Sequence, residues 1–167
     1  GGYFFITPEE YNDLRKNDPE VLQYVRQIYG ATEYINNKAR YCLWLVGASP
    51  AELRKNAFIK YRVEMVREFR LNSNKEATRK SAATPTLFQE IRQPQGEYII
   101  VPRHSSENRK YIPFGFVKPD IIVNDAVQII PDANIYHFGI LTSNIHMAWT
   151  RAVCGRIKSD YRYSKDI

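Results

Sequence analysis

Apolar residues return along this chain in two rhythms, one near 3.6 residues and one of two, broken by clusters of Pro, Gly, Asn and Ser. Gly1 to Ile6 is an apolar, strand-like run that starts abruptly, as an excised fragment would. Thr7-Pro8-Glu9-Glu10 then predicts a helix start: Thr7 can cap, Pro8 suits the first position, and Glu10 completes a capping box. Asp18-Pro19-Glu20 predicts a second helix, with Val21, Leu22, Val25, Ile28 and Tyr29 at helical spacing and Gly30 as its stop. Arg40 to Val46 predicts a buried strand. Ser49-Pro50-Ala51-Glu52 is a second capping box and predicts a long helix to about Leu71.

The second half is shorter in rhythm. Residues 72–84 are polar, with Lys75, Arg79 and Lys80, and read as a mobile loop. Glu97 to Pro102, Lys110 to Val117 and Ala126 to Ile130 predict strands separated by turn residues. Ser143 predicts the cap of a helix through about Cys154, burying Ile145, Ala148, Trp149 and Val153. Gly155 to Ser164 predicts a final strand. The sum is an α+β domain over residues 1–167, a mostly antiparallel sheet with flanking helices.

Composition narrows the function. A chain of 167 residues, 44% hydrophobic, can bury a real core and fits one domain, or at most one and a half. A net charge of +6 suits a polyanionic partner without requiring one. Cys42 and Cys154 stand far apart with no Cys-x-x-Cys, which points to a reducing cytoplasm. No apolar run approaches a membrane span, and no basic region precedes Tyr3 as in a signal peptide.

Catalytic chemistry is hard to assemble. There is no Gly-x-Gly-x-x-Gly, no P-loop and no Gly-x-Ser-x-Gly elbow. His104, His137 and His146 lack metal-ligand spacing and read as packing or surface residues. Lys118-Pro119-Asp120 resembles the start of a metal-dependent nuclease motif, but no Asp/Glu-x-Lys follows, so it reads as a turn.

Binding chemistry is easier to find. The helix over 49–71 carries Arg54, Lys55, Lys60, Arg62, Arg67 and Arg70, either a solvated face or a phosphate-facing one. Arg103, Ser105, Ser106 and Arg109 could hold phosphates, with Glu107 orienting an arginine, or form an ordinary polar hairpin loop. Asn124 and Asp125 form a polar turn, though an Asn can also pair with adenine. In the last strand, Arg156, Lys158, Asp160 and Arg162 alternate with Ile157, Ser159, Tyr161 and Tyr163, which places the four charges on one face. Lys and Arg donate to guanine and Asp accepts from cytosine, so such a row could read base edges. Its alternative is a solvated face with an internal ion pair.

Longer strings carry a resemblance. Asn36 to Leu45 (Asn-Asn-Lys-Ala-Arg-Tyr-Cys-Leu-Trp-Leu), Ser105 to Arg109 running through Tyr111 to Phe116, Tyr136 to Leu141, and His146 to Trp149 running into Val153 to Ser164 all resemble one family. It is the target-recognition domain of MmeI-like enzymes, single-chain restriction–modification proteins also known as adenine-specific DNA methyltransferases. The resemblance covers nearly the whole chain.

That resemblance implies that the chain is a fragment of a larger methyltransferase/endonuclease. The parent would hold a nuclease, a helical connector and an S-adenosylmethionine-dependent adenine-N6 methyltransferase, with Mg if the nuclease is present. This chain lacks the Asn-Pro-Pro-aromatic and nuclease motifs. It is therefore expected to bind no cofactor or metal and to be no enzyme itself. Its expected partners are double-stranded DNA and the parent's methyltransferase domain, in the bacterial cytoplasm and not at a membrane. In the family the strand matching Gly155 to Ser164 enters the major groove. By that correspondence Lys158 and Asp160 specify bases, Arg162 makes a further DNA contact, and Asn124 with Asp125 matches a second specificity region more loosely. Arg103, Ser105, Ser106, Arg109, Arg156 and Ser159 are the backbone or supporting set. A fragment with its own transferase or nuclease activity, and a protein-interaction domain with an incidental basic face, are the competing readings.

Overall fold

The computed structural model describes residues 2–165 and 167, so Gly1 of the first apolar run lies outside it. The elements run β1 (Phe5–Ile6), α1 (Pro8–Asn17), β2 (Val25–Tyr29), α2 (Ala31–Ile35), β3 (Tyr41–Leu43), α3 (Pro50–Lys55), α4 (Ala57–Leu71) and α5 (Glu76–Lys80). They continue with β4 (Tyr98–Pro102), β5 (His104–Ser105), β6 (Gly115–Val117), β7 (Ile122–Val123), β8 (Val127–Pro131), α6 (Ile135–Leu141), α7 (Asn144–Val153), β9 (Gly155–Ile157) and β10 (Asp160–Arg162). The α+β class holds, and among the described residues every strand pair is antiparallel except β2 with β7. The chain divides into two compact units, residues 1–27 with 39–92 and residues 28–38 with 93–167.

In unit one, α1 starts as its sequence dictates. Thr7 Oγ1 accepts the Glu10 N–H and the Glu10 carboxylate accepts the Thr7 N–H, so two otherwise unmatched donors are satisfied. The helix expected after Asp18 is instead a 3-10 turn, Pro19–Tyr24, followed by β2. Val21, Val25 and Ile28 fit either rhythm. Antiparallel pairing of Val25–Gln27 with β3 decides it, since β-branched residues favour a strand once it has a partner. The long helix expected from Pro50 breaks at Asn56, whose backbone is extended and whose side chain caps Ile59 N–H.

The basic face expected on that helix is only partly solvated. Arg70 is fully buried, and its guanidinium donates to the carbonyls of Ser81, Thr84 and Leu87 at 2.9, 2.9 and 2.6 Å. Residues 72–84 are thus not a bare loop: they hold α5 and a 3-10 turn at Ser81–Ala83, and the turn and the residues after it are gathered onto one buried cation. The core of the unit is Phe4, Ile6, Leu14, Val21, Leu43, Ile59 and Val66.

Unit two contains two three-stranded sheets, ordered β6-β4-β8 and β5-β10-β9. Tyr98–Pro102 is buried along its whole length between two antiparallel neighbours. The strand expected over residues 110–117 shortens to Gly115–Val117. Ser143 caps α7 by accepting the His146 N–H, as expected. The buried face of α7 is not the expected one. Met147 and Thr150 face the core, while Ile145, Ala148, Trp149 and Val153 are exposed. Thr150 can sit inside because its hydroxyl donates to the His146 carbonyl at 2.9 Å.

Candidate nucleic-acid interface

The segment after α7 is a hairpin, not one strand. Asp160, Tyr161 and Arg162 of β10 pair with Ile157, Arg156 and Gly155 of β9. Two residues, Lys158 and Ser159, form the turn, and Lys158 takes a φ of +55°. Tight hairpin turns need a left-handed residue because only then does the turn match the strand twist. A lysine bears this at a cost of roughly 1–2 kcal/mol.

The hairpin redistributes the four charges. Directly paired residues share a sheet face, so Arg156, Tyr161 and Ser105 lie on one side. Ile157, Asp160, Arg162 and His104 lie on the other. Arg156 is therefore not on the face of Asp160 and Arg162, and Lys158 belongs to the turn. The single-face row expected from alternation fails because the chain reverses in its middle.

The inner face is anchored. Tyr161, 4% exposed, joins Tyr163, Met147, Cys154, Ile99, Val101, Ile112 and Phe114 in one core. The Arg156 guanidinium lies over the Tyr161 ring at 4.1 Å and donates to the Ser159 carbonyl at 2.8 Å, bracing the turn. Burial pushes the Tyr163 hydroxyl up to about 12 and holds the His146 imidazole below its usual range. The two groups share a hydrogen bond of 3.0 Å, so a neutral pair sits beneath the hairpin. Ser105 is 3% exposed, and its hydroxyl has no hydrogen-bond partner among the described residues.

The outer face is bare. Lys158, Ser159, Asp160 and Arg162 are all exposed. Among the described residues no ion pair forms between Arg156, Lys158, Asp160 and Arg162. Asp160 Oδ1 accepts the Glu107 N–H at 3.2 Å, which ties the 105–109 turn to the hairpin.

The supporting residues converge unequally. The Arg103 carbonyl accepts the Tyr163 N–H, while its Nε donates to the Asp125 carbonyl at 2.7 Å. One arginine therefore links the hairpin's outgoing strand to the 124–126 turn. Asn124 Oδ1 accepts the Ala126 N–H at 2.9 Å, closing that turn. Its side chain is spent on local geometry, whereas Asp125 is exposed. Ser106 Oγ accepts the Asn108 N–H, and Arg109 is half-buried nearby in sequence. Around the hairpin Arg103, Arg109, Lys110, Arg156, Lys158 and Arg162 outnumber Glu107, Asp125 and Asp160.

Sequence reading missed Arg103 as a brace and Tyr161 with Tyr163 as the anchor. Their spacing of two within a charged run was the available signal. Among the described residues, no group of three or more His, Cys, Asp or Glu could hold a metal ion. Nor is any helix there long and apolar enough to cross a membrane.

Three comparisons bear on this site. The family described as "MmeI, target recognition domain" matches residues 1–167. The chain is 41% identical over 164 residues to DNA methyltransferase A of Bacillus subtilis (strain 168), covering 98% of this chain and 19% of that protein. It is also similar to the solved structure of the Type IIL restriction-modification enzyme MmeI in complex with DNA, at 45% identity and a TM-score of 0.93. That match covers 98% of this chain and 22% of the MmeI chain. The chain thus spans about a fifth of each relative.

Proposed function

Because the chain belongs to the MmeI target recognition domain family, we propose that it reads base pairs in duplex DNA through the hairpin of β9 and β10. The observation that carries this reading is the hairpin's asymmetry. Its inner face is fixed by Tyr161 and its outer charges are exposed and unpaired with one another. A two-stranded ribbon is of a size the major groove admits. Lys158, at the tip, donates to guanine O6 or N7. Asp160, opening β10, accepts from a cytosine amino group, and Arg162 extends the contact along the same face. Arg103, Ser106 and Arg109 meet phosphates, which hold position without specifying sequence. Arg156 and Ser159 shape the turn, Ser105 lies beneath it, and Asp125 supplies a second, weaker readout. Asn124 acts there through the turn it closes.

The chemistry belongs to a longer polypeptide. In that setting the chain selects the site for an S-adenosylmethionine-dependent adenine-N6 methyltransferase, and for a magnesium-dependent nuclease where one is fused. The chain itself is a reader and not a catalyst, acting in the bacterial cytoplasm.

Two measurements test this. The 167-residue chain should bind duplex DNA weakly and with little selectivity. With the two phosphate-facing arginines, a fourfold rise in salt should weaken binding roughly tenfold. Salt-independent binding would favour the protein-interaction reading. In the longer polypeptide, Lys158→Glu with Asp160→Arg should move methylation from a G·C toward a C·G pair at one site position. An unchanged site in that double variant would remove these residues from base readout.

A further inference from the structure

The stretch that precedes the hairpin is made of different material. Residues 133–154 contain one Asp, Glu, Lys or Arg, Arg151, in a chain that is 25% charged. Yet much of its apolar surface is exposed. On α7, Ile145, Trp149 and Val153 recur every fourth residue on one face and are 84%, 55% and 45% exposed. On α6, Ile135, Tyr136 and Ile140 are exposed as well, and Phe116 beside Phe138 adds an aromatic edge. Exposed apolar side chains are ordinary when scattered, but a charge-free stripe with Trp and Tyr has the composition of an interface centre.

We infer that the outer face of α7, extended by α6, is the seat of an apolar, uncharged element of the longer polypeptide to which this chain belongs. One observation chooses that occupant over a second copy. The relatives it matches are about five times its length, so four-fifths of each lies outside the matched part. A partner in the same polypeptide is present at an effective concentration on the order of millimolar, which a free second copy at micromolar concentration does not match. A nucleic acid is a poor occupant for a face with no donor row and one arginine. The seat holds whether or not the hairpin reads DNA.

Hydroxyl-radical footprinting read by mass spectrometry tests the seat. Oxidation of Trp149 and Ile145 should be fast in the 167-residue chain and several-fold slower in the longer polypeptide. Adding a DNA duplex to the longer polypeptide should change neither rate. Ile145→Lys with Trp149→Lys should leave the melting temperature of the 167-residue chain unchanged and make the longer polypeptide easier to cleave by protease around this region. Equal oxidation in both polypeptides would overturn the inference. Protection that grows with concentration of the short chain would assign the face to a second copy. Protection that appears only with the duplex would move the face into the DNA site, overturning this inference and leaving the hairpin's reading intact.

Discussion

Residues 133–154 and residues 155–162 are neighbours in the same unit, with one charged side chain in the first stretch and four in the second. Both present a bare outer face, and both are fixed from within by the same core, through Met147 in one and Tyr161 in the other. The difference lies in what each face can satisfy. The α7 face carries no hydrogen-bonding row and gains only by leaving water. The hairpin face carries donors and one acceptor that would lose hydration on burial unless matched, so it suits a partner rich in complementary polar edges. One core thus supports two surfaces of opposite chemistry.

The sharpest way to break this pairing is to remove the shared support. Tyr161→Ala should cost about 3–4 kcal/mol of stability, in the range for deleting a buried aromatic ring. Chemical denaturation of the chain would measure it, and a loss under about 1 kcal/mol would mean that the hairpin is not seated in the core. Asp160→Ala removes the bond to the Glu107 N–H. It should cost about 0.5–1 kcal/mol of stability and raise amide exchange at Glu107. If exchange there is unchanged, the 105–109 turn holds without the hairpin.

Lys158→Gly separates stability from binding. A glycine accepts the +55° φ without strain, so the variant should be about 0.5 kcal/mol more stable, the relief being partly offset by chain entropy. Under the proposed readout, the same change should weaken binding or methylation of the preferred site roughly tenfold, the effect of deleting one base contact. Loss of both properties together would show that the lysine packs and does not read.

The smallest effect is a slope with pH. His146 has a folded pKa below its ordinary value because it is buried. Above the ordinary range both folded and unfolded chains hold it neutral, and it contributes nothing to the slope. As pH falls from about 7.5 to about 5.5, the unfolded chain takes the proton first, so stability drops. His146→Gln keeps a polar partner for Tyr163 and does not titrate, so its stability should fall less over that interval. Parallel slopes would mean that other groups set the pH response.

Features specified by adjacent residues are the more legible ones, with one failure: Ser49 and Glu52 have the spacing of Thr7 and Glu10, yet the Ser49 side chain makes no cap hydrogen bond. Thr7 and Glu10 cap α1 as their spacing demands, and Ser143 caps α7 likewise. Val25 to Tyr29 was misread because its pairing partners, Tyr41–Leu43 and Ile122–Val123, lie far along the chain. The hairpin was hidden for another reason. Its turn is Lys-Ser, without the Gly or Asn that marks most left-handed corners. Alternation ran unbroken through the reversal, so Arg156 was counted on the wrong face. The periodicity of α7 was sound, but the larger apolar side chains were assigned inward when they face outward. A pattern of apolar spacing locates a face and does not say which body covers it.

The left-handed tip also limits what can be written there. Any residue at 158 must adopt a backbone that Gly, Asn and Asp reach with ease, that Lys and Arg tolerate, and that Val, Ile and Thr strongly resist. The vocabulary of side chains available at the tip is therefore filtered by the peptide before any partner is met. A designer who swaps position 158 alone inherits that filter, whereas Asp160, in ordinary strand backbone, is open to nearly every residue.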